Sequence, residues 1–287
     1  MLGHVDRRHE IRQFLTSRRA RLSPEAAGLT VYGDDRRVPG LRREEVAVLA
    51  GVSVEYYVRL ERGNLSGASD GVLDALARAL QLSDAERLYL YDLAHGGVRD
   101  PGTDVEAVRP SLQHLLDAIA APAFVRNRRL DYLAANPLGR ALLCEMFDGA
   151  DEPPNQARYV FLDPRARRFH PDWEGVASDF AAMLRLESGH SPADRKLAAL
   201  VDELLQANPE FRLRWERADV RLSQAGTEKR FCHPIVGDMR VTVESMAIHS
   251  NDHLTMWAVT AEPGSESEAA LRRLDEITAT VPVVNEP

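Results

Sequence analysis

Lysine is nearly missing from this chain. Lys196 and Lys229 are the only two among 36 basic residues, so almost every cation is an arginine. Such a bias arises as readily from GC-rich coding as from phosphate recognition, and alone it selects neither. Cysteine is equally sparse: Cys144 and Cys232 stand far apart, which argues against a disulfide framework and against clustered thiolate metal ligands. No apolar run approaches the roughly 20 residues of a membrane span. The N-terminal region is crowded by Arg7, Arg8, Glu10, Arg12, Arg18 and Arg19, unlike a secretory leader. A reduced, cytoplasmic protein with no membrane partner is expected.

Catalytic signatures are absent too. No G-x-S-x-G, phosphate-binding loop or G-x-G-x-x-G occurs. His9-Glu10 has no histidine completing a zinc-peptidase spacing. His249 and His253 flank what reads as a hairpin turn, not a metal pair. The expectation is therefore no catalytic residue, no metal and no cofactor.

What is present is a charge asymmetry. The chain of 287 residues carries a net −8, yet residues 1–62 hold 12 arginines against 9 carboxylates, a net of +3, which leaves −11 for the remainder. A basic head on an acidic body fits a DNA-reading domain joined to a domain with another task.

Within that head, residues 40–63 read GLRREEVAVLAGVSVEYYVRLERG. Leu41, Val46, Leu49, Val52, Tyr57 and Leu60 have the spacing of a small core shared by two short helices. Ala47 and Gly51 are small where those helices must approach, and Ser53 is placed to cap the second. Helices are also expected at 6–19, 71–80 and from the capping box Ser83-Asp84-Ala85-Glu86 to about Ala94, with a short one possible after Ser23-Pro24 and a loop over 29–40. Five helices in about 90 residues make a compact all-α domain. A helix-turn-helix places its second helix in the DNA major groove. Val54, Glu55 and Tyr56 on the first turn of that helix would then face base edges, Glu55 suiting a cytosine amino group. Arg42, Arg43, Arg59 and Arg62 would reach phosphates, or be held by Glu44, Glu45 or Glu61. Arg36 and Arg37 in the preceding loop are further candidates. The frame over residues 6–94 and the quoted stretch resemble the XRE/Cro-like helix-turn-helix family.

His95-Gly96-Gly97 and Asp100-Pro101-Gly102 punctuate the chain, and a connecting helix through Val105, Val108, Leu112, Leu116 and Ile119 is expected after them. From Pro122 the pattern changes. Strands are expected at 123–125 and 130–134, helices at about 137–147, 172–187, 192–207 and 209–217, then strands at 229–234, 239–249 and 254–261, with Ser191-Pro192 capping the third helix. That order gives an α+β domain in which an antiparallel sheet of about five strands carries helices on one face. The linear division is 1–96 for the helix-turn-helix domain, 97–121 for the linker and connecting helix, 122–264 for the α+β domain, and 265–287 for a final helix and tail.

Asp131, Ala134-Ala135-Asn136-Pro137, the segment Pro209-Glu210-Phe211-Arg212-Leu213-Arg214-Trp215, His233-Pro234-Ile235-Val236-Gly237 and Thr260 to Ser265 are similar to the MmyB-like regulators over residues 107–262. That resemblance implies a PAS-like ligand-binding domain and a long-chain fatty acid as a kind of ligand. Phe180, Met183 and Leu184 on one helical face, Phe211 and Trp215 on another, and Phe231, Met246 and Trp257 from the sheet are candidate pocket lining, or plain core. A carboxylate head would need a cationic or hydrogen-bonding anchor, for which Arg185, Arg214, His233 and Asn136 are candidates. The expected function is a homodimeric transcription regulator that binds a double-stranded DNA operator and senses a small hydrophobic ligand. The alternative is a DNA-tethered protein-interaction module with no small-molecule effector.

Overall fold

The computed structural model describes residues 7–29, 40–95, 108–148, 153–220, 226–248, 251 and 253–280. The elements run α1 (Arg7–Arg21), α2 (Arg43–Ala50), α3 (Val54–Glu61), α4 (Asp70–Ala79), α5 (Asp84–His95), α6 (Pro110–Asp117), β1 (Ala123–Asn127), β2 (Tyr132–Ala135), α7 (Pro137–Leu142), α8 (Cys144–Phe147), α9 (Gln156–Leu162), α10 (Ala166–Phe169), α11 (Trp173–His190), α12 (Arg195–Ala207), α13 (Pro209–Glu216), β3 (Thr227–His233), β4 (Gly237–Ala247), β5 (Leu254–Thr260) and α14 (Glu266–Thr280). Arg36, Arg37, His249 and the linker segment 97–107 lie outside the described residues. The chain divides into two units, each with its own interior: Met1–Pro101 with Ala181–Leu222, and Gly102–Phe180 with Ser223–Pro287.

In the first unit, α1 to α5 form where the apolar periodicity expects them. Ser23-Pro24 starts only a hydrogen-bonded turn, in which the amide of Ala27 donates to Ser23 O, not a helix. Phe14, Leu41, Val46, Tyr57, Leu60, Leu73, Leu76 and Leu90 are fully buried in one cluster, and Phe14 meets Tyr89 edge to face at 5.1 Å between centroids. Two glycines flank the motif against α1. A Cβ on Gly40 would lie 2.4 Å from the carbonyl oxygen of Ala20, and one on Gly63, where φ is +96°, would lie 2.3 Å from that of Arg8. Only glycine lets the chain pass α1 at that distance.

Helical residues from late in the chain complete this unit. Leu186 of α11 and Val220 belong to the same core cluster as Phe14 and Leu60. Gly189 passes the ring of Tyr89, where a Cβ would meet it at 2.3 Å. Arg18 contacts Glu86 at 3.0 Å, and Arg18 and Arg21 both hold Asp219. Sequence periodicity cannot assign α12 and α13 to a partner, because an amphipathic stripe says that a face is buried and not against what. α12 begins at Asp194, whose carboxylate accepts the amides of Lys196 and Leu197 at 2.9 and 3.0 Å. The cap is thus Asp194 and not Ser191-Pro192.

The second unit is built on one antiparallel sheet of strand order β2-β1-β5-β4-β3. Phe124 lies opposite Trp257, which lies opposite Ser245, and Phe231 lies opposite Met239. Residues in register share a face and alternate along each strand, so Phe124, Arg126, Trp257, Met239, Val241, Lys229 and Phe231 form one face. Residues from α9 to the first half of α11 cover it: Phe169 stacks on Phe231 at 4.9 Å and Asp179 reaches Lys229 at 3.6 Å. The other face is not bare. Leu112 and Leu116 of α6 pack on Ala123, Val125, Ala134 and Leu254. Helices therefore lie on both faces of the sheet. A strand order of 2-1-5-4-3 with helices between β2 and β3 is PAS-like.

Candidate functional site

Two sites follow from these units. The first is the outer face of α3. Gly51, at φ +64°, ends α2 in the left-handed conformation, and the Ser53 hydroxyl accepts the Tyr56 amide at 3.1 Å to begin α3. Tyr57, Leu60 and Glu61 turn inward; Glu55, Arg59 and Arg62 are exposed, and Val54, Tyr56 and Val58 are half-buried. Arg59 lies over the Tyr56 ring at 4.6 Å, a cation–π contact that fixes both side chains. A cleft of about 570 Å³ is lined by Arg8, Val54, Glu55, Val58, Arg59, Arg62 and Asn64. Arg8 is a residue that sequence reasoning missed. It sits at the start of α1, and Gly63 brings the chain's end of the motif against it.

Arg43 is placed differently from the other arginines. Its Nε donates to Glu61 Oε2 at 2.5 Å, while Arg19 Nε donates to Glu61 Oε1 at 2.6 Å and the Tyr57 hydroxyl to the same oxygen at 3.3 Å. Burial alone would raise the Glu61 carboxyl; the two arginines outweigh it and hold it below its ordinary value. One edge of the Arg43 guanidinium is therefore committed inside the domain. Arg42 is exposed, and its backbone amide is capped by Glu45 Oε2 at 2.5 Å.

The second site is the helix-covered face of the sheet. Of the candidate pocket residues, Phe180, Phe231 and Trp257 belong there. Met183, Leu184, Phe211 and Trp215 fall in the first unit, where Phe211 and Trp215 stack at 5.5 Å. Met246 is displaced for a simpler reason. It stands opposite Met256, one residue out of phase with Trp257, so it lies on the other face and is 39% exposed.

Each expected anchor makes structural bonds, although Nε and Nη1 of Arg185 are buried without a hydrogen-bond partner. Asn136 Oδ1 accepts the amides of Ala123 and Gly139, and its Nδ2 donates to the carbonyls of Ile119 and Ala121 at 3.0 and 2.8 Å. His233 Nδ1 accepts the amides of Ile235 and Val236, which assigns the proton to Nε2, and Nε2 donates to Ala141 O at 3.0 Å. Burial lowers the pKa of His233, and it folds the β3–β4 hairpin as a neutral ring. Arg185, 1% exposed, donates to Trp215 O and to Gln13 Oε1 and lies over the Trp215 ring, all in the first unit. Arg214 is held by Glu210 at 3.1 Å.

The helix-covered face also buries a cation, Arg126. It is 7% exposed, its Nη1 donates to Gln156 Oε1 at 2.6 Å, and its guanidinium lies 4.6 Å from the Trp257 ring centroid. The signal was legible: Arg126 is two residues from Phe124 in a strand, so it points to the same face as that phenylalanine.

Residues 108–274 match the MmyB-like transcription regulator ligand binding domain, and residues 10–90 match a helix-turn-helix domain. The chain belongs to the MmyB-like transcription regulators. This regulator thus joins a DNA-binding domain to a ligand-binding one. A comparison with curated proteins finds no match. No helix among the described residues is long and apolar enough to cross a membrane, and no cluster of metal-ligating side chains occurs among them.

Proposed function

We propose that this regulator reads a DNA operator with the outer face of α3, in the XRE manner, and that a small apolar or amphipathic effector held by its PAS-like domain modulates that reading. The observation that carries the first half is the cleft along α3, where Arg8, Arg59 and Arg62 flank Val54, Glu55 and Val58. Val54, Glu55 and Tyr56 face base edges; Arg8, Arg42, Arg59 and Arg62 face phosphates, and Ser53 sets the helix start between them. The protein acts in the cytoplasm as a homodimer on a two-fold operator, since two half-sites multiply a modest single-domain affinity. An effector changes the outcome only by binding one arrangement more tightly than the other, and a long-chain fatty acid is the expected kind.

The test is fluorescence anisotropy with an operator selected from random duplexes. Arg59→Ala and Arg62→Ala should each weaken binding and shrink the log–log salt slope by about one. Unchanged affinity and slope in both variants would overturn the contact assignment. A protein partner in place of an effector is the second reading, supported by the tight ring packing of Phe169 on Phe231. It gains if native mass spectrometry of the purified protein and a thermal-shift panel of fatty acids both show nothing bound.

A further inference from the structure

In sequence, Ala181–Leu222 lies inside the ligand-binding domain; in the structure it belongs to the unit that holds α3. It docks on α1 through polar groups. α13 ends at Glu216, and the carbonyls at and beyond its last turn find no partner within the helix. Side chains of α1 supply the partners. Gln13 Nε2 donates to Glu216 O at 2.9 Å, Arg21 Nη2 to Arg217 O at 2.8 Å, and Arg18 Nη2 to Ala218 O. Cations at this end also suit the negative pole of the helix dipole. Asp219 follows directly, and its carboxylate accepts from both Arg18 and Arg21. Arg185 of α11 donates to Gln13 Oε1 at 3.1 Å, so one glutamine bonds both α11 and α13.

Two observations mark this docking as one that can be undone. Ala218, fully buried, sits at φ +53°, a conformation disfavoured for any residue with a Cβ. Such strain persists only where the surroundings impose it, and here Arg18 holds the Ala218 carbonyl. Independently, Nε and Nη1 of Arg185 are buried without a hydrogen-bond partner, whereas buried donors are normally satisfied. The docked form carries two costs that release would relieve.

The other end of α1 stands at the reading face. Arg8 lines the cleft along α3, and the chain leaving α3 passes the Arg8 carbonyl at Gly63. Arg8 and Arg21 lie on one continuous helix, about 20 Å apart along its axis, so a tilt at Arg21 displaces Arg8. We propose that residues 181–222 are a brace on the DNA reader, in which Asp219 and Gln13 are positioning residues: they set α1 so that Arg8 completes the cleft of α3, and lifting the brace lowers operator affinity. This rests on the reading of that cleft as the operator face. The sign of the effect separates a brace from simple electrostatics. Asp219 is a carboxylate that repels phosphates and occupies Arg18 and Arg21, so on charge alone Asp219→Ala would tighten DNA binding. A brace predicts the opposite.

The experiment is fluorescence anisotropy of the full chain with the selected operator duplex, at a temperature where circular dichroism shows each variant folded. Asp219→Ala should weaken binding on the order of fivefold, equivalent to about 1 kcal/mol, and the log–log salt slope should shrink by about one as the Arg8 contact is lost. Gln13→Ala, which changes no charge, should weaken binding in the same direction. Arg8→Ala weakens it too, and adding Asp219→Ala to Arg8→Ala should cost nothing further, because residues that act through one contact are not additive. Unchanged or tighter binding by Asp219→Ala, or full additivity with Arg8→Ala, overturns the brace. Where Asp219→Ala fails to fold, Gln13→Ala and its cycle with Arg8→Ala decide in the same way. If Arg8→Ala and Arg59→Ala both bind as wild type does, the operator face is wrong and the brace falls with it. If those two weaken binding and Asp219→Ala does not, the brace alone falls.

Discussion

Arg43 Nε sits 2.5 Å from Glu61 Oε2, joining the first residue of α2 to the last of α3. Arg19 of α1 takes the other oxygen at 2.6 Å. One carboxylate, 1% exposed, therefore ties three helices together behind the reading face. Glu61→Ala would strand Arg19 half inside the domain, and removing one partner of a buried pair costs about 3–5 kcal/mol. The first expected outcome is a large drop in the urea midpoint for Glu61→Ala. Arg43→Ala removes a half-exposed partner and should cost about 1 kcal/mol or less. DNA titrations with Arg43→Ala separate its two roles: a structural one weakens binding at constant salt slope, whereas a phosphate contact lowers the slope by about one. The depressed Glu61 pKa also gives a sign. Its stabilisation is present above the ordinary carboxylate pKa and lost as pH falls through the folded value.

Gly63 and Gly51 both have positive φ, at +96° and +64°, but only one is crowded. A Cβ on Gly51 meets nothing within 4 Å, while one on Gly63 meets the Arg8 carbonyl at 2.3 Å. Gly51→Ala should cost about 1–2 kcal/mol of left-handed strain. Gly63→Ala adds a backbone clash that must push α1 away, for a total of about 2–5 kcal/mol. Thermal unfolding of the two variants measures the difference. Because Arg8 lines the cleft of α3, Gly63→Ala should weaken DNA binding more than Gly51→Ala does at temperatures where both are folded. Equal effects on stability would mean that α1 yields at no cost.

The helix-turn-helix was legible because its signals are local. Apolar spacing, the Ser53 cap and the Gly51 turn all act within a few residues. The sheet was legible for the same reason, through strands and turns, although α9 and α10 were not seen, being short and interrupted by Asp163-Pro164. Long-range facts were not legible. Nothing near Leu186 or Val220 says that they share a core with Phe14. Nor does Arg8 announce that it meets α3. Phase mattered more than composition in the sheet: Met246 and Trp257 look alike as pocket residues until the register sets them on opposite faces. Nor is it legible that polar side chains beside turns, such as Asn136 and His233, bond the backbone of those turns.

Asn136 gives the third expectation. At 2% exposure it spends its whole amide on backbone groups that bring α6, β1 and α7 together. Asn136→Ala leaves several buried carbonyls and amides unpaired, each costing about 1–3 kcal/mol, so a loss of roughly 3 kcal/mol or more in chemical denaturation is expected. Any fatty acid that binds the wild type in the thermal-shift panel should bind the fraction that remains folded equally well. A variant that folds normally and loses ligand selectively would return Asn136 to the pocket.

His170 gives the last expectation, a pH dependence. The ring is 5% exposed, lies 4.9 Å from Phe169 and 5.6 Å from Phe231, and has no acceptor or donor for Nδ1 among the described residues. Burial first, and Lys229 second, push its pKa down to about 4. The unfolded chain binds a proton near pH 6.5, well before the folded one. The histidine is therefore harmless above pH 6.5, and stability falls as pH drops from there toward about 4, at up to about 1.4 kcal/mol per pH unit. Between pH 7 and pH 5 this amounts to about 2 kcal/mol. Burial lowers the pKa of His233 as well, with the same sign, so a remainder of the slope persists without His170. Urea unfolding of wild type and His170→Phe at the two pH values should show the variant losing distinctly less stability on acidification. Equal losses would place the acid sensitivity elsewhere, since no other change distinguishes the two proteins.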